Sequence, residues 1–148
     1  MSKHYTIGQM ANAGHCKVQT IRYYEQIGLL PHPMRSEGNQ RIYTQTHWNR
    51  LGFIRHSREL GFSLERIREM LALNDDPSHS CEEVDLIASK HLQQVESKIK
   101  RLQSMRDELT RMIGRCQGNQ VADCRIIEVL SNHALCSVER HSVDGDDD

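Results

Sequence analysis

This sequence has no long apolar run. A membrane-crossing helix takes roughly 18–20 consecutive apolar residues, and nothing in the 148 residues approaches that. The N-terminus, Met1-Ser2-Lys3-His4-Tyr5, lacks the apolar stretch of a secretory signal. A cytoplasmic protein without membrane contact is therefore expected. Aromatic residues are scarce at 5%, and apolar residues amount to 37%, which is thin for one compact core. Such a composition fits a small domain joined to a long, half-exposed helix that completes its burial by forming a homodimer. Signatures of catalysis are missing too: there is no Gly-rich phosphate loop, no HExxH and no nucleophile elbow, so an enzyme is not expected. The five cysteines are odd in number and unevenly spaced, which suits a disulfide framework poorly; in a reducing compartment they are thiols.

Charge of one sign is short in each half. Residues 1–72 hold ten Lys and Arg against five Asp and Glu, a balance of +5, whereas residues 73–148 hold nine against fifteen, a balance of −6. A basic front and an acidic back suggest that one end meets a polyanion and the other does not.

Thr6 is an N-cap candidate for a short helix over 7–13, and Gly14-His15-Cys16 is a tight break. A second helix is expected over 17–27, ended by Gly28 and kept from continuing by Pro31 and Pro33. Two short helices joined by a Gly-containing turn make a helix-turn-helix pattern. Ser36-Glu37-Gly38-Asn39 signals a turn, and Gln40–Tyr43 reads as a strand, so a small hairpin or wing is expected. Helices over about 47–60, capped by Thr44 or Thr46, and over about 64–73, capped by Ser63, complete the first domain. From Cys81 to Gly114 there is neither Pro nor internal Gly, and Ala88, Leu92, Val95, Ile99, Leu102, Met105, Leu109 and Met112 recur at steps of mostly four and three. A helix of that length runs about 50 Å, and its apolar stripe calls for the same helix of a second chain, parallel or antiparallel. The expected fold is thus mainly α: a winged helix-turn-helix over 1–74, a linker over 75–80, a dimerisation helix over 81–115, a loop and short helix over 116–131, and a flexible tail over 132–148.

The second helix presents Lys17, Gln19, Thr20, Arg22 and Tyr23 on or near one surface. Arg pairs bidentately with guanine and Gln with adenine, while Lys and Thr commonly meet phosphates. Arg41 and Tyr43 on the wing and Arg55 on the following helix are candidates for the flanking DNA backbone.

Thr20-Ile21-Arg22-Tyr23-Tyr24-Glu25, then Gly28-Leu29-Leu30-Pro31, then Gly38-Asn39-Gln40-Arg41-Ile42-Tyr43 closely resemble the DNA-binding domain of the MerR family. Phe53-Ile54-Arg55, Leu60-Gly61-Phe62-Ser63-Leu64 and the long helix from Cys81 extend the match over about residues 5–131. The resemblance implies a winged helix-turn-helix, an antiparallel coiled coil between two protomers, and an effector loop at the end of that coil. It further implies an activator that stays on a palindromic promoter in double-stranded DNA, distorts it on binding metal, and so presents it to RNA polymerase. The target genes would be exporters or detoxifiers.

Cys116 and Cys124 lie eight residues apart around Gly118, close enough to turn both sulfurs toward one ion. Two thiolates suit copper(I); a third suits zinc, cadmium, lead or mercury(II). Cys81 is too far along one helix to join them, but in an antiparallel dimer the Cys81 of one protomer meets Cys116 and Cys124 of the other. The divalent-metal sensors of the family place a Cys at the head of this helix, so Cys81 points to zinc, cadmium or lead. The loop 116–124 resembles the copper-type members in length, which keeps copper(I) or mercury(II) as the alternative, along with a thiol redox-responsive regulator. His79 is a possible extra ligand. His91 reads as an interface residue, and His133 and His141 are weaker ligand candidates. Cys16 reads as a buried or turn thiol, Cys136 as a free thiol of the tail.

Overall fold

Residues 3–113, 121 and 124–132 are described here from a computed structural model. Helix α1 spans Ile7–Ala13. Its start is fixed by a capping box, in which the Gln9 N–H donates to Thr6 Oγ1 at 3.1 Å and the Thr6 N–H donates to Gln9 Oε1 at 2.9 Å. Gly14 follows. A Cβ at that position would lie 2.9 Å from Leu51 Cδ2 and 3.2 Å from Met10 O, so any larger residue would force the Leu51 side chain to shift. His15 turns the chain with φ 47°, and α2 runs Val18–Gln26 with Lys17 as its N-cap.

Helix α2 ends in a Schellman motif. Gly28 has φ 80°, its N–H donates to Glu25 O at 3.1 Å, and the Leu29 N–H donates to Tyr24 O at 2.9 Å. The buried Leu29 and Leu30 that follow carry the chain into the core. A two-stranded antiparallel hairpin comes next: β1, Met34–Arg35, and β2, Arg41–Ile42, with Met34 opposite Ile42 and Arg35 opposite Arg41. The strand expected over Gln40–Tyr43 is shorter than its sequence pattern. Tyr43 leaves the hairpin to exchange two backbone hydrogen bonds, 2.8 and 2.9 Å, with Tyr5.

Helix α3 spans Gln45–Glu59 behind Thr44. The Thr44 N–H donates to His47 Nδ1 at 3.0 Å, which leaves the ring proton on Nε2, directed at Pro31 O 3.1 Å away. A buried histidine therefore ties the start of α3 to the chain leaving α2. A second Schellman motif ends α3. Gly61 has φ 88° and donates to Arg58 O at 2.9 Å, and Phe62 donates to Ser57 O at 3.0 Å. Helix α4, Leu64–Asn74, begins with Ser63 Oγ accepting from the Arg66 N–H at 3.2 Å.

One compact unit comprises Met1–Val84. Met10, Ile21, Leu51, Ile54, Ile67 and Leu71 form its apolar interior. Helix α5 spans Cys81–Ile113, about 50 Å at 1.5 Å per residue, and α6 spans Arg125–Ser131. In the second unit, from Asp85 onward, Glu108, Met112 and Val129 are buried among the described residues. Leu92, Ile99, Leu102, Met105 and Leu109 stand exposed along α5. None of the described helices is long and apolar enough to cross a membrane.

Candidate nucleic-acid interface and metal centre

Helical geometry sorts α2 into two faces. Val18, Ile21 and Glu25 lie three and four apart and turn inward, with Ile21 and Glu25 buried. Gln19, Arg22 and Tyr23 are exposed, as is Lys17 just before the helix. Thr20 is half-buried. The residues expected from sequence to face a polyanion thus form one surface, in which a forked guanidinium and an amide stand beside an aromatic ring. These are the donor types that read base edges and hold phosphates.

The wing differs from its expected role. Arg41 is half-buried, and its Nη1 donates to Glu25 Oε2 at 3.0 Å. Tyr43 has no exposed surface, and its hydroxyl donates to Glu25 Oε1 at 2.5 Å. Burial, reinforced by that bond to a carboxylate, pushes the Tyr43 phenol up to about 12. The expectation that the Tyr43 side chain meets the DNA backbone is corrected here, because it is sealed inside. Arg35, which sequence reading passed over, is exposed on β1 directly opposite Arg41, with Nη1 donating to Asn39 O at 3.1 Å. The sequence signal was available in the hairpin register, since a turn at 36–39 pairs residue 35 with a residue just past the turn.

Arg55 is half-buried on α3, 3.9 Å from Glu59 Oε1. It lines a hollow with Met10, Trp48 and Phe53. Cys16 is a half-buried thiol in the turn after α1; burial pushes it up, with Arg55 opposing. It is therefore a protonated thiol near neutral pH. Several other cations of this half bond to the fold's own acceptors: Arg50 Nε donates to Leu29 O at 2.9 Å and its Nη1 pairs with Asp75, Arg58 donates to Phe62 O at 3.1 Å, and the exposed Arg68 donates to Ile27 O.

Of the expected thiol ligands, Cys81 is exposed as the first residue of α5, and Cys124 is half-buried at the N-cap of α6. Cys116 lies outside the described residues, as do His133, Cys136, His141 and the acidic tail. His79 lines a hollow together with Cys81, Phe53, Met70 and Val84. Its exposed side chain has Nε2 3.3 Å from Asp76 Oδ2 and Nδ1 3.9 Å from Glu83 Oε1, so each ring nitrogen has a carboxylate nearby. Two hydrogen bonds from Ser78 hold the Asp76 carboxyl below its usual range. Among the described residues, no group of three His, Cys, Asp or Glu is gathered in a way that could hold a metal ion. Cys81 and Cys124 are free, soft donors; they fit a thiophilic ion in kind, and need further ligands to complete one.

Two family models match overlapping parts of the chain. A family model described as MerR HTH family regulatory protein matches residues 5–73, and one described as MerR, DNA binding matches residues 48–112. The HTH-type transcriptional regulator ZntR of Escherichia coli (strain K12) is 44% identical over 133 residues, covering 88% of this chain and 94% of that protein. The HTH-type transcriptional regulator CueR of Escherichia coli O6:H1 is 42% identical over 113 residues, covering 76% of this chain and 84% of the relative. Among solved structures, the transcription regulator PbrR691 from Ralstonia metallidurans CH34 in complex with lead(II) is similar at 40% identity and a TM-score of 0.74, covering 85% of this chain and 98% of that one.

Proposed function

We propose, on the premise that the chain belongs to the MerR family of transcription regulators, that it senses a divalent heavy metal and answers by reshaping the promoter DNA it holds. Its relatives are regulators rather than enzymes. The observation that carries the reading is the placement of thiols relative to an uncovered helix. Cys81 is exposed at the head of α5, and the apolar stripe behind it is exposed along the helix. A second copy, running antiparallel, covers that stripe and brings the head of one helix beside the tail of the other. Cys81 of one protomer then joins Cys116 and Cys124 of its partner in a three-thiolate site. A bound ion would supply the link between these sulfurs; the chain supplies soft donors from two protomers, so occupancy couples to how the protomers sit.

Three thiolates favour zinc, cadmium or lead over copper(I), which takes two. The likeness to ZntR and to a lead(II) complex supports this choice, and the likeness to CueR is the counterweight. On the DNA side, Gln19 and Arg22 read base edges in the major groove, while Lys17, Thr20, Tyr23, Arg35 and Arg55 hold phosphates. Two-fold protein symmetry calls for a two-fold operator. Metal shifts the paired DNA-binding units, and the strained duplex changes register for RNA polymerase without release of the protein. The setting for this work is the cytoplasm.

Cadmium titration of the reduced full chain tests it. Sulfur-to-metal charge-transfer absorption should saturate at one ion per protomer, and Cys81→Ser should weaken it while leaving DNA affinity unchanged. An unchanged titration in Cys81→Ser overturns the shared site. A response to oxidant with no metal absorption would favour a redox regulator instead.

A further inference from the structure

The hairpin is too small to hold itself in place. Each strand is two residues long, and a two-stranded hairpin is marginal in water even at greater length. Its orientation must come from what its side chains grip. Arg41 on β2 and Tyr43 just past its end both direct their donors at one acceptor, the carboxylate of Glu25 in the last turn of α2. Each carboxylate oxygen is taken by a different wing residue, Oε2 by Arg41 at 3.0 Å and Oε1 by Tyr43 at 2.5 Å. Glu25 is only 4% exposed. Desolvating a carboxylate is costly unless good partners replace the lost water, and here both charge-assisted partners are Arg41 and Tyr43.

We infer that Glu25 is a positioning residue for DNA recognition, a clamp that sets the wing relative to the recognition helix. The inference rests on the reading that α2 and the wing both meet DNA. Glu25 is buried, whereas Gln19, Arg22 and Tyr23 are exposed, so it does not itself reach DNA from that surface. What it controls is the spacing between groove contacts and flanking-phosphate contacts. The clamp also divides labour in the hairpin. Arg41 is drawn inward to Glu25, and Arg35, directly across the ladder, is left exposed as the outward cation. Arg35 is the phosphate contact, and Arg41 with Tyr43 holds it there. The other side of Tyr43 extends the anchorage: its backbone pairs with Tyr5, whose ring stacks on Trp48 at 4.4 Å.

The test uses the full chain and, as probe, a duplex enriched from a random-sequence pool by the wild-type protein. Affinity is measured across a salt series, with hydroxyl-radical footprints and thermal unfolding alongside. Each lost phosphate contact lowers the salt slope by about one. Arg35→Ala should lower the slope and erase protection at the flanks. Glu25→Gln should do the same and weaken binding by about tenfold, while protection under α2 persists. Combining Glu25→Gln with Arg35→Ala should add nothing to Arg35→Ala alone, because both act through one contact. Tyr43→Phe, at a position sealed from DNA, should shift the slope in the same direction by a smaller amount; it carries the test if Glu25→Gln does not fold. A wild-type slope and footprint in both Glu25→Gln and Tyr43→Phe, with Arg35→Ala reduced, overturns the clamp and leaves the DNA reading standing. An Arg35→Ala variant that behaves as wild type removes the wing from the DNA, and the clamp's purpose with it.

Discussion

The two units of this chain handle apolar surface in opposite ways. In Met1–Val84, short helices of seven to fifteen residues, each closed by a cap, bury Met10, Ile21, Ile54 and Ile67 completely. Beyond Asp85, one long helix leaves Leu92, Ile99, Leu102 and Leu109 about half exposed. Some exposed leucine is normal on any protein surface. A row of them at heptad steps along about 50 Å is not, because helical stability in water comes mainly from covering such a face. The first unit is thus complete in its own burial, and the second is half of an interface.

The largest test of that contrast is to charge the stripe. Leu102→Glu, alone or with Leu92→Glu, should convert the dimer to a monomer in sedimentation velocity. Affinity for a two-fold DNA site should then fall by about a hundredfold or more, since the second half-site no longer binds intramolecularly. A dimer that persists, with unchanged mass, would mean that the stripe is covered in some other way. The converse change probes the first unit. Ile67→Ala removes a fully buried side chain and should destabilise that unit by about 2–5 kcal/mol in denaturant unfolding. Its dimer mass should stay that of the wild type. A loss of dimer in this variant would mean that the two burial schemes are coupled after all.

Sequence reading recovered the regular parts because their physics is local. Thr6 with Gln9 three residues on is a capping signature, and the chain begins α1 there. Gly28 and Gly61 mark helix ends because left-handed φ is cheap for glycine, and both sit in Schellman motifs. The absence of Pro and Gly from 81 to 113 left α5 no place to stop. The wing was harder. In two-residue strands, alternation has too few positions to say which face is inside, so Tyr43 read as a surface residue when it is a core one. Glu25 was lost inside a motif read for its exposed side. Its spacing from Ile21 and Val18 marks the inward face, but a charged residue there defies the usual pattern until its two wing partners are known. The thiols are a different case. Their types and spacings are visible in sequence, whereas their meeting depends on a second chain, which no local rule supplies.

Tyr43 gives the smallest effect and the finest distinction between the units. Its hydroxyl keeps its proton in the folded state up to about pH 12, because burial and the Glu25 carboxylate disfavour the phenolate. In an unfolded chain the proton leaves near 10. Between those values the folded state binds more protons than the unfolded one. The contribution is therefore fully present below pH 10 and is lost as pH rises through about 12. Near neutrality, Tyr43→Phe should cost about 1.5–3 kcal/mol for the lost hydrogen bond to a buried carboxylate. Above pH 10 the gap between the variant and wild type should narrow, since the wild type alone loses this contribution. The sole tryptophan, Trp48, lies in the first unit, stacked on Tyr5 beside the wing. Its fluorescence should follow the alkaline loosening, while the share of the circular dichroism that α5 contributes should persist to higher pH if the two units hold together separately. Coincident loss of both signals would show one cooperative structure and would erase the contrast between a self-sufficient unit and a shared helix.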